Sequence, residues 1–200
     1  MLLDRIRNTL GAFKPSEVTP NKQTRQAAVA IILRETNYYP EVLFIKRAEK
    51  EGDPWSGHMA FPGGHKEPED TDLRQAAERE TIEEIGLDLS AGNYIGALDH
   101  ENAQPRGRIL NMLIAPHVFE IFDEVEFSIN YEVDEVVWAS LEDLTSNRLH
   151  DTETMPMSGT PTVFNGYRLD GGHFVWGLTY RILKSFFTTV DPGWSGPREL

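Results

Sequence analysis

The stretch Asp70-Thr71-Asp72-Leu73-Arg74-Gln75-Ala76-Ala77-Glu78-Arg79-Glu80-Thr81-Ile82-Glu83-Glu84-Ile85-Gly86-Leu87 constrains this chain more than any other. Asp70 or Thr71 is placed to cap a helix start, and Gly86 to end that helix in the left-handed conformation. Leu73, Ala77, Thr81 and Ile85 recur every fourth residue and form a narrow stripe that packs on a sheet. At about 3.6 residues per turn, Glu83 and Glu84 fall roughly 60° and 40° to either side of Glu80, so three carboxylates share one neighbouring face. Like charges so crowded raise one another's pKa and cost stability unless a cation sits among them. Hard oxygen donors, with no cysteine and no histidine pair, favour Mg²⁺ or Mn²⁺ over zinc. An acidic helix face on its own is usually solvated surface. What argues for a site is the context: Arg79 stands where it can hold a carboxylate by a bidentate pair, and the turn Phe61-Pro62-Gly63-Gly64 lies just upstream.

The 200 residues are enough for one domain with a substantial core. No apolar run approaches the roughly 18 residues of a membrane helix, and the first ten residues lack the apolar core of a secretory signal, so a cytoplasmic protein is expected. The absence of cysteine excludes disulfide scaffolds, thiol catalysis and cysteine metal sites. With 19 basic and 32 acidic side chains the net charge is −13, which disfavours binding to nucleic acid or to an anionic membrane. An anionic substrate would need local charge cancellation, and cations held by clustered carboxylates supply it.

Along the chain, Leu3, Ile6 and Leu10 predict a short helix over residues 2–10, read as a peripheral arm and connector occupying residues 1–24. The main domain is expected over residues 25–190, with a tail at 191–200. Apolar runs predict buried strands at residues 26–33 and 42–45, and further strands at 94–98, 109–114, 117–122 and 132–139. Residues 145–172 are rich in Thr, Ser, Pro, Gly and Met and read as a long irregular loop, a candidate lid. Helical spacing through Trp176, Tyr180, Leu183 and Phe187 predicts a core-facing helix over 173–188. Strands interleaved with two substantial helices point to a mixed α/β sandwich.

Gly64 through Leu87 resembles the Nudix box, which ends in R-E-U-x-E-E-x-G-U with U apolar. Gly64 lies one residue further from Arg79 than in the common pattern, the upstream acidic position falls to Asp70, and Thr81 replaces an apolar residue. The resemblance implies an α/β/α sandwich with a mixed sheet and a catalytic loop-helix-loop. It also implies that Glu80, Glu83 and Glu84, with the Gly64 carbonyl, ligate divalent ions, that Arg79 orients the cluster, and that water attacks a diphosphate. The general base is then either a box glutamate or Glu132, at the entry to the strand after it. A homodimer is compatible with the family.

Gly57-His58-Met59-Ala60-Phe61-Pro62-Gly63-Gly64 and Val175-Trp176-Gly177-Leu178-Thr179 are similar to segments of the coenzyme A diphosphatase branch. They imply cleavage of coenzyme A or an acyl derivative to 3′,5′-ADP and phosphopantetheine. Asp53 stands where that branch usually has an arginine, and Arg47 is the substitute candidate for the anion contact. The alternatives are an ADP-ribose or nucleotide-sugar pyrophosphatase and a Nudix-fold module that senses a nucleotide without cutting it. Trp55 and His58 are candidates to stack on an adenine or to pack internally. Arg106 and Arg108 are candidates for phosphate contact.

Overall fold

The computed structural model describes residues 2–52, 55–103, 111–157 and 159–200. Asp53, Arg106 and Arg108, named above as candidate substrate contacts or departures, lie outside the described residues.

Strand β1 (Arg25–Arg34) is the spine of the molecule. Its Ala28, Ala30 and Ile32 face one side and Ala27, Ile31 and Leu33 the other, all buried, which is the two-sided burial expected of a central strand. It pairs in parallel along its whole length with β7 (Met112–Ile121), and antiparallel with β2 (Glu41–Arg47) and β4 (Gly63–His65). Strands β3 (Met59–Ala60) and β8 (Val133–Ser140) flank β2, while β5 (Asn93–Ala97) and β6 (Glu101–Asn102) flank β7. Among the described residues these eight strands form one mixed sheet.

The two runs read as separate strands around Pro116 are a single strand, β7. Proline lacks the N–H that a ladder needs. Here β5 pairs with residues 117–120 and β6 with Leu113 and Ile114, so Pro116 falls between the two partners, and its carbonyl still accepts from Leu98.

Helix α2 (Leu73–Ile85) lies on one face of the sheet. Its Ala76 and Ala77 meet Ala28 and Ala30 of β1, and small residues on both partners bring helix and sheet close together. Its cap is Asp72, whose side chain accepts from the Gln75 amide at 2.8 Å, rather than Asp70 or Thr71. Gly86 ends it at φ 71°, as its position predicts.

The opposite face is covered by α1 (Leu2–Ala12) and α4 (Gly177–Val190). Leu3, Ile6 and Leu10 are fully buried in the same core as Tyr180, Leu183 and Phe186, so the N-terminal helix is a packed layer of the sandwich. The Arg7 guanidinium also pairs with the buried Glu120 of β7.

Residues 145–172 are not an irregular loop. After α3 (Leu141–Thr145), strands β9 (His150–Met157) and β10 (Thr160–Arg168) form a long antiparallel hairpin. Its threonines, which give the segment a loop-like composition, are β-branched and suit the pleated, half-exposed surface of a strand. Strand β11 (Phe174–Trp176) adds to the same small sheet, so α4 begins at Gly177, later than the periodicity predicts. Gly177 at φ 61° makes the break between strand and helix. The tail is docked: Trp194 Nε1 donates to the Thr145 carbonyl at 2.8 Å, and Glu199 accepts from the Tyr180 hydroxyl and the Lys184 ammonium. Among the described residues no helix is long and apolar enough to cross a membrane.

Candidate active site

The C-terminal half of α2 runs beside β4, and this contact organises the acidic residues. Arg79 forms a two-pronged pair with Asp70, Nε to Oδ1 and Nη2 to Oδ2 both at 3.1 Å, and Nη2 also donates to the His65 carbonyl at 2.8 Å. Its Nη1 reaches Glu80 at 3.1 Å and Glu83 at 3.3 Å. Asp70 is buried, and its hydrogen bonds from Arg79 hold its carboxyl below the usual carboxylate range. The upstream acid whose role the sequence leaves open is therefore the anchor of the arginine that spans the cluster.

Glu84 is almost completely buried, and one oxygen accepts from the Gly63 amide at 2.8 Å. Burial pushes its carboxyl up to about 8, against the pull of that amide and of Arg47, with Glu80 and Glu132 adding to the rise. Glu80 is raised in the same direction, first by burial. The Arg47 guanidinium stands 3.9 Å from Glu84. Gly64 is pressed against Glu80, where an added Cβ would sit 2.4 Å from the carboxyl carbon. A side chain at 64 would collide with the Glu80 carboxylate.

These groups open onto a cleft of about 390 Å³. Arg47, Trp55, His58, Gly64, Glu80, Glu84 and Glu132, all candidates from sequence, line it together. Glu83 is outside the lining, more than half exposed and held by Arg79. Trp176, expected in the helical core, stands instead at the end of β11 as a cleft wall, with its ring 4.7 Å from His58 and 4.8 Å from Phe164.

Sequence reasoning missed three contributors. The Gly63 amide is invisible until the β4 turn is folded against α2. Thr179 donates to the Met59 carbonyl at 3.0 Å, tying together the two short segments that resembled one family branch. Arg181 also lines the cleft, and nothing in the local sequence distinguishes it from a solvated helix arginine.

The donor set fits a hard divalent cation: carboxylate oxygens at Glu80, Glu84 and Glu132, two of them desolvated and mutually repelling, with no cysteine thiolate to compete. Among the described residues no three His, Asp or Glu side chains already form a closed cage. Arg79 is the group interposed between Glu80 and Glu83.

A family model described as NUDIX domain matches residues 24–157. The mitochondrial coenzyme A diphosphatase NUDT8 of Mus musculus is 31% identical over 191 residues, covering 91% of this chain and 87% of that protein. An uncharacterized protein of Schizosaccharomyces pombe is 40% identical over 41% of this chain, which spans only 30% of that protein's length. The crystal structure of a MutT/nudix family protein from Enterococcus faecalis superposes with a TM-score of 0.54 at 18% identity, covering 88% of this chain and 66% of that one. At that identity the likeness speaks to fold alone.

Proposed function

The chain belongs to the Nudix family, and from that membership we propose that its cleft hydrolyses the diphosphate of coenzyme A or an acyl-coenzyme A, releasing 3′,5′-ADP and phosphopantetheine. The observation that carries this reading is the meeting, in one cleft, of the α2 carboxylates with the segments around Met59 and Thr179, joined by a buried hydrogen bond. The relative named as a coenzyme A diphosphatase, alignable over most of the chain, supports the same choice.

Glu80 and Glu84, which line the cleft, and Glu83, which stands just outside that lining on Arg79, would hold Mg²⁺ or Mn²⁺ together with the Gly64 carbonyl. Such ions neutralise diphosphate charge and lower the pKa of a water molecule. Arg79, anchored on Asp70, fixes the helix-borne carboxylates. Arg47 offers a cation to a diphosphate oxygen beside Glu84. Water adds to one phosphorus, the bridging P–O bond breaks, and the water proton passes to a carboxylate, with Glu132 and the α2 glutamates as the candidates within the cleft. Met112, Ile114 and Ile182 make part of the cleft lining apolar.

The test is a steady-state comparison of coenzyme A, dephospho-coenzyme A, ADP-ribose and a nucleotide sugar with Mg²⁺ or Mn²⁺. The highest kcat/KM is expected for a coenzyme A species. A kcat/KM for ADP-ribose or the sugar well above both coenzymes overturns the substrate while leaving the hydrolase chemistry standing.

A further inference from the structure

We propose that Arg181 is a specificity residue that binds a second oxyanion of the substrate, separate from the diphosphate being cut; the inference rests on the coenzyme A reading above. Arg181 lies on the first turns of α4 and lines the cleft, to which Ala103, Met112, Ile114 and Ile182 contribute apolar surface. The carboxylate wall and Arg47, which stands beside Glu84, are other parts of the lining. The Arg181 guanidinium is positioned by its Nη2, which donates to the Asn102 carbonyl at 2.7 Å and lies 3.6 Å from the Glu101 carboxylate. Among the described residues its hydrogen bond and its ion pair both run through Nη2, while a guanidinium carries five N–H donors in a fixed fork.

Three facts make this arginine more than a surface staple. The side chain is only about two-fifths exposed, at 38%. Ala103, Met112, Ile114 and Ile182 of the same cleft lining are apolar, so a charge-assisted hydrogen bond there is less screened than in open water. The protein carries a net charge of −13, so any anionic end of a ligand is repelled unless a local cation receives it. The Asn102 carbonyl and Glu101 carboxylate behind Arg181 aim its guanidinium and partly balance its charge, as a prepared anion contact requires.

The oxyanion has two possible sources in this substrate class. It is either a monophosphate on the nucleoside sugar or a carboxylate at the end of an acyl group, and the experiment separates them. Wild type and Arg181→Gln are compared on coenzyme A against dephospho-coenzyme A, and on succinyl- against acetyl-coenzyme A. Loss of a charged hydrogen bond should reduce one of these kcat/KM ratios by roughly tenfold or more, mainly through KM. Arg181→Lys, which keeps the charge but not the fork, should retain part of the ratio. Calorimetric titration of 3′,5′-ADP and 5′-AMP provides a readout without turnover: preference for the former that weakens in Arg181→Gln supports the sugar-phosphate source. Both ratios unchanged in Arg181→Gln, including a uniform loss on all substrates, overturn the inference and make Arg181 a structural tie between α4 and β6. Failure of the substrate reading shows itself differently, as wild type that turns over another diphosphate and not the coenzymes. The 3′,5′-ADP titration then judges Arg181, and equal affinity of wild type for both nucleotides counts against it.

Discussion

Asp70→Asn tests the internal logic of the cluster, because Asp70 does no chemistry in this account and acts only by holding Arg79. The substitution removes a buried negative charge that receives two hydrogen bonds from Arg79 and one from the Glu67 amide. Removing one partner of a buried ion pair typically costs about 3–5 kcal/mol. Arg79 keeps Glu80 and Glu83 as partners, and asparagine retains one acceptor oxygen, so about 2–3 kcal/mol is expected. For a domain of this size that corresponds to a fall in Tm of roughly 5–10 °C. Urea unfolding should show a lower midpoint with an unchanged slope. The effect has a defined pH dependence. The folded-state pKa of Asp70 lies below the usual aspartate value, so its contribution is present above the unfolded chain's pKa of about 4 and is lost as pH falls through the folded-state value. The gap between wild type and Asp70→Asn should therefore close in strong acid. A variant within about 0.5 kcal/mol of wild type at pH 7 would refute the claim that Asp70 anchors Arg79.

Gly64→Ala should cut turnover at least about tenfold with a loss of stability of no more than about 1 kcal/mol, because the new Cβ meets the movable end of Glu80 and not backbone; parallel kinetics and melting check this, and wild-type kinetics would contradict it. His117 is buried on β7, hydrogen-bonded to Tyr94 at 3.1 Å, and burial pushes its pKa down to about 4. The unfolded chain then binds the extra proton first, so stability should fall by up to about 3 kcal/mol as pH drops from 6.5 toward 4. His117→Gln should flatten that part of the pH–stability curve, and an unchanged curve would count against the assignment. Trp194→Ala should destabilise by about 2–4 kcal/mol, since it removes the bond to Thr145 and the edge contact with Phe187, and a change in Tm below about 2 °C would show that the tail is not a structural strap.

The parts legible in the sequence were those governed by local periodicity. Leu73 to Gly86 announces its helix through spacing and termination, and β1 and β2 through dense Ala, Val and Ile. The hairpin at 150–168 was not legible, because Thr, Pro and Gly satisfy both loop and strand chemistry and only cross-strand pairing decides between them. Merging of two runs into β7 depended on Pro116 falling between the β5 and β6 pairings, where its missing N–H interrupts neither. In the site, the convergence of Glu80 and Glu84 follows from helix geometry. The burial of Glu84, its bond to Gly63 and the Thr179 to Met59 contact across 120 residues exist only in the folded chain. Arg181 enters the cleft for the same reason.

The most direct test of the central claim, that the carboxylates of α2 carry out diphosphate hydrolysis, is the turnover of Glu84→Gln at saturating Mg²⁺ or Mn²⁺ with coenzyme A, its products identified by mass. The account predicts 3′,5′-ADP and phosphopantetheine from wild type, and a kcat lowered by on the order of a hundredfold or more in a variant that remains folded. Near wild-type turnover to the same products by Glu84→Gln would contradict it.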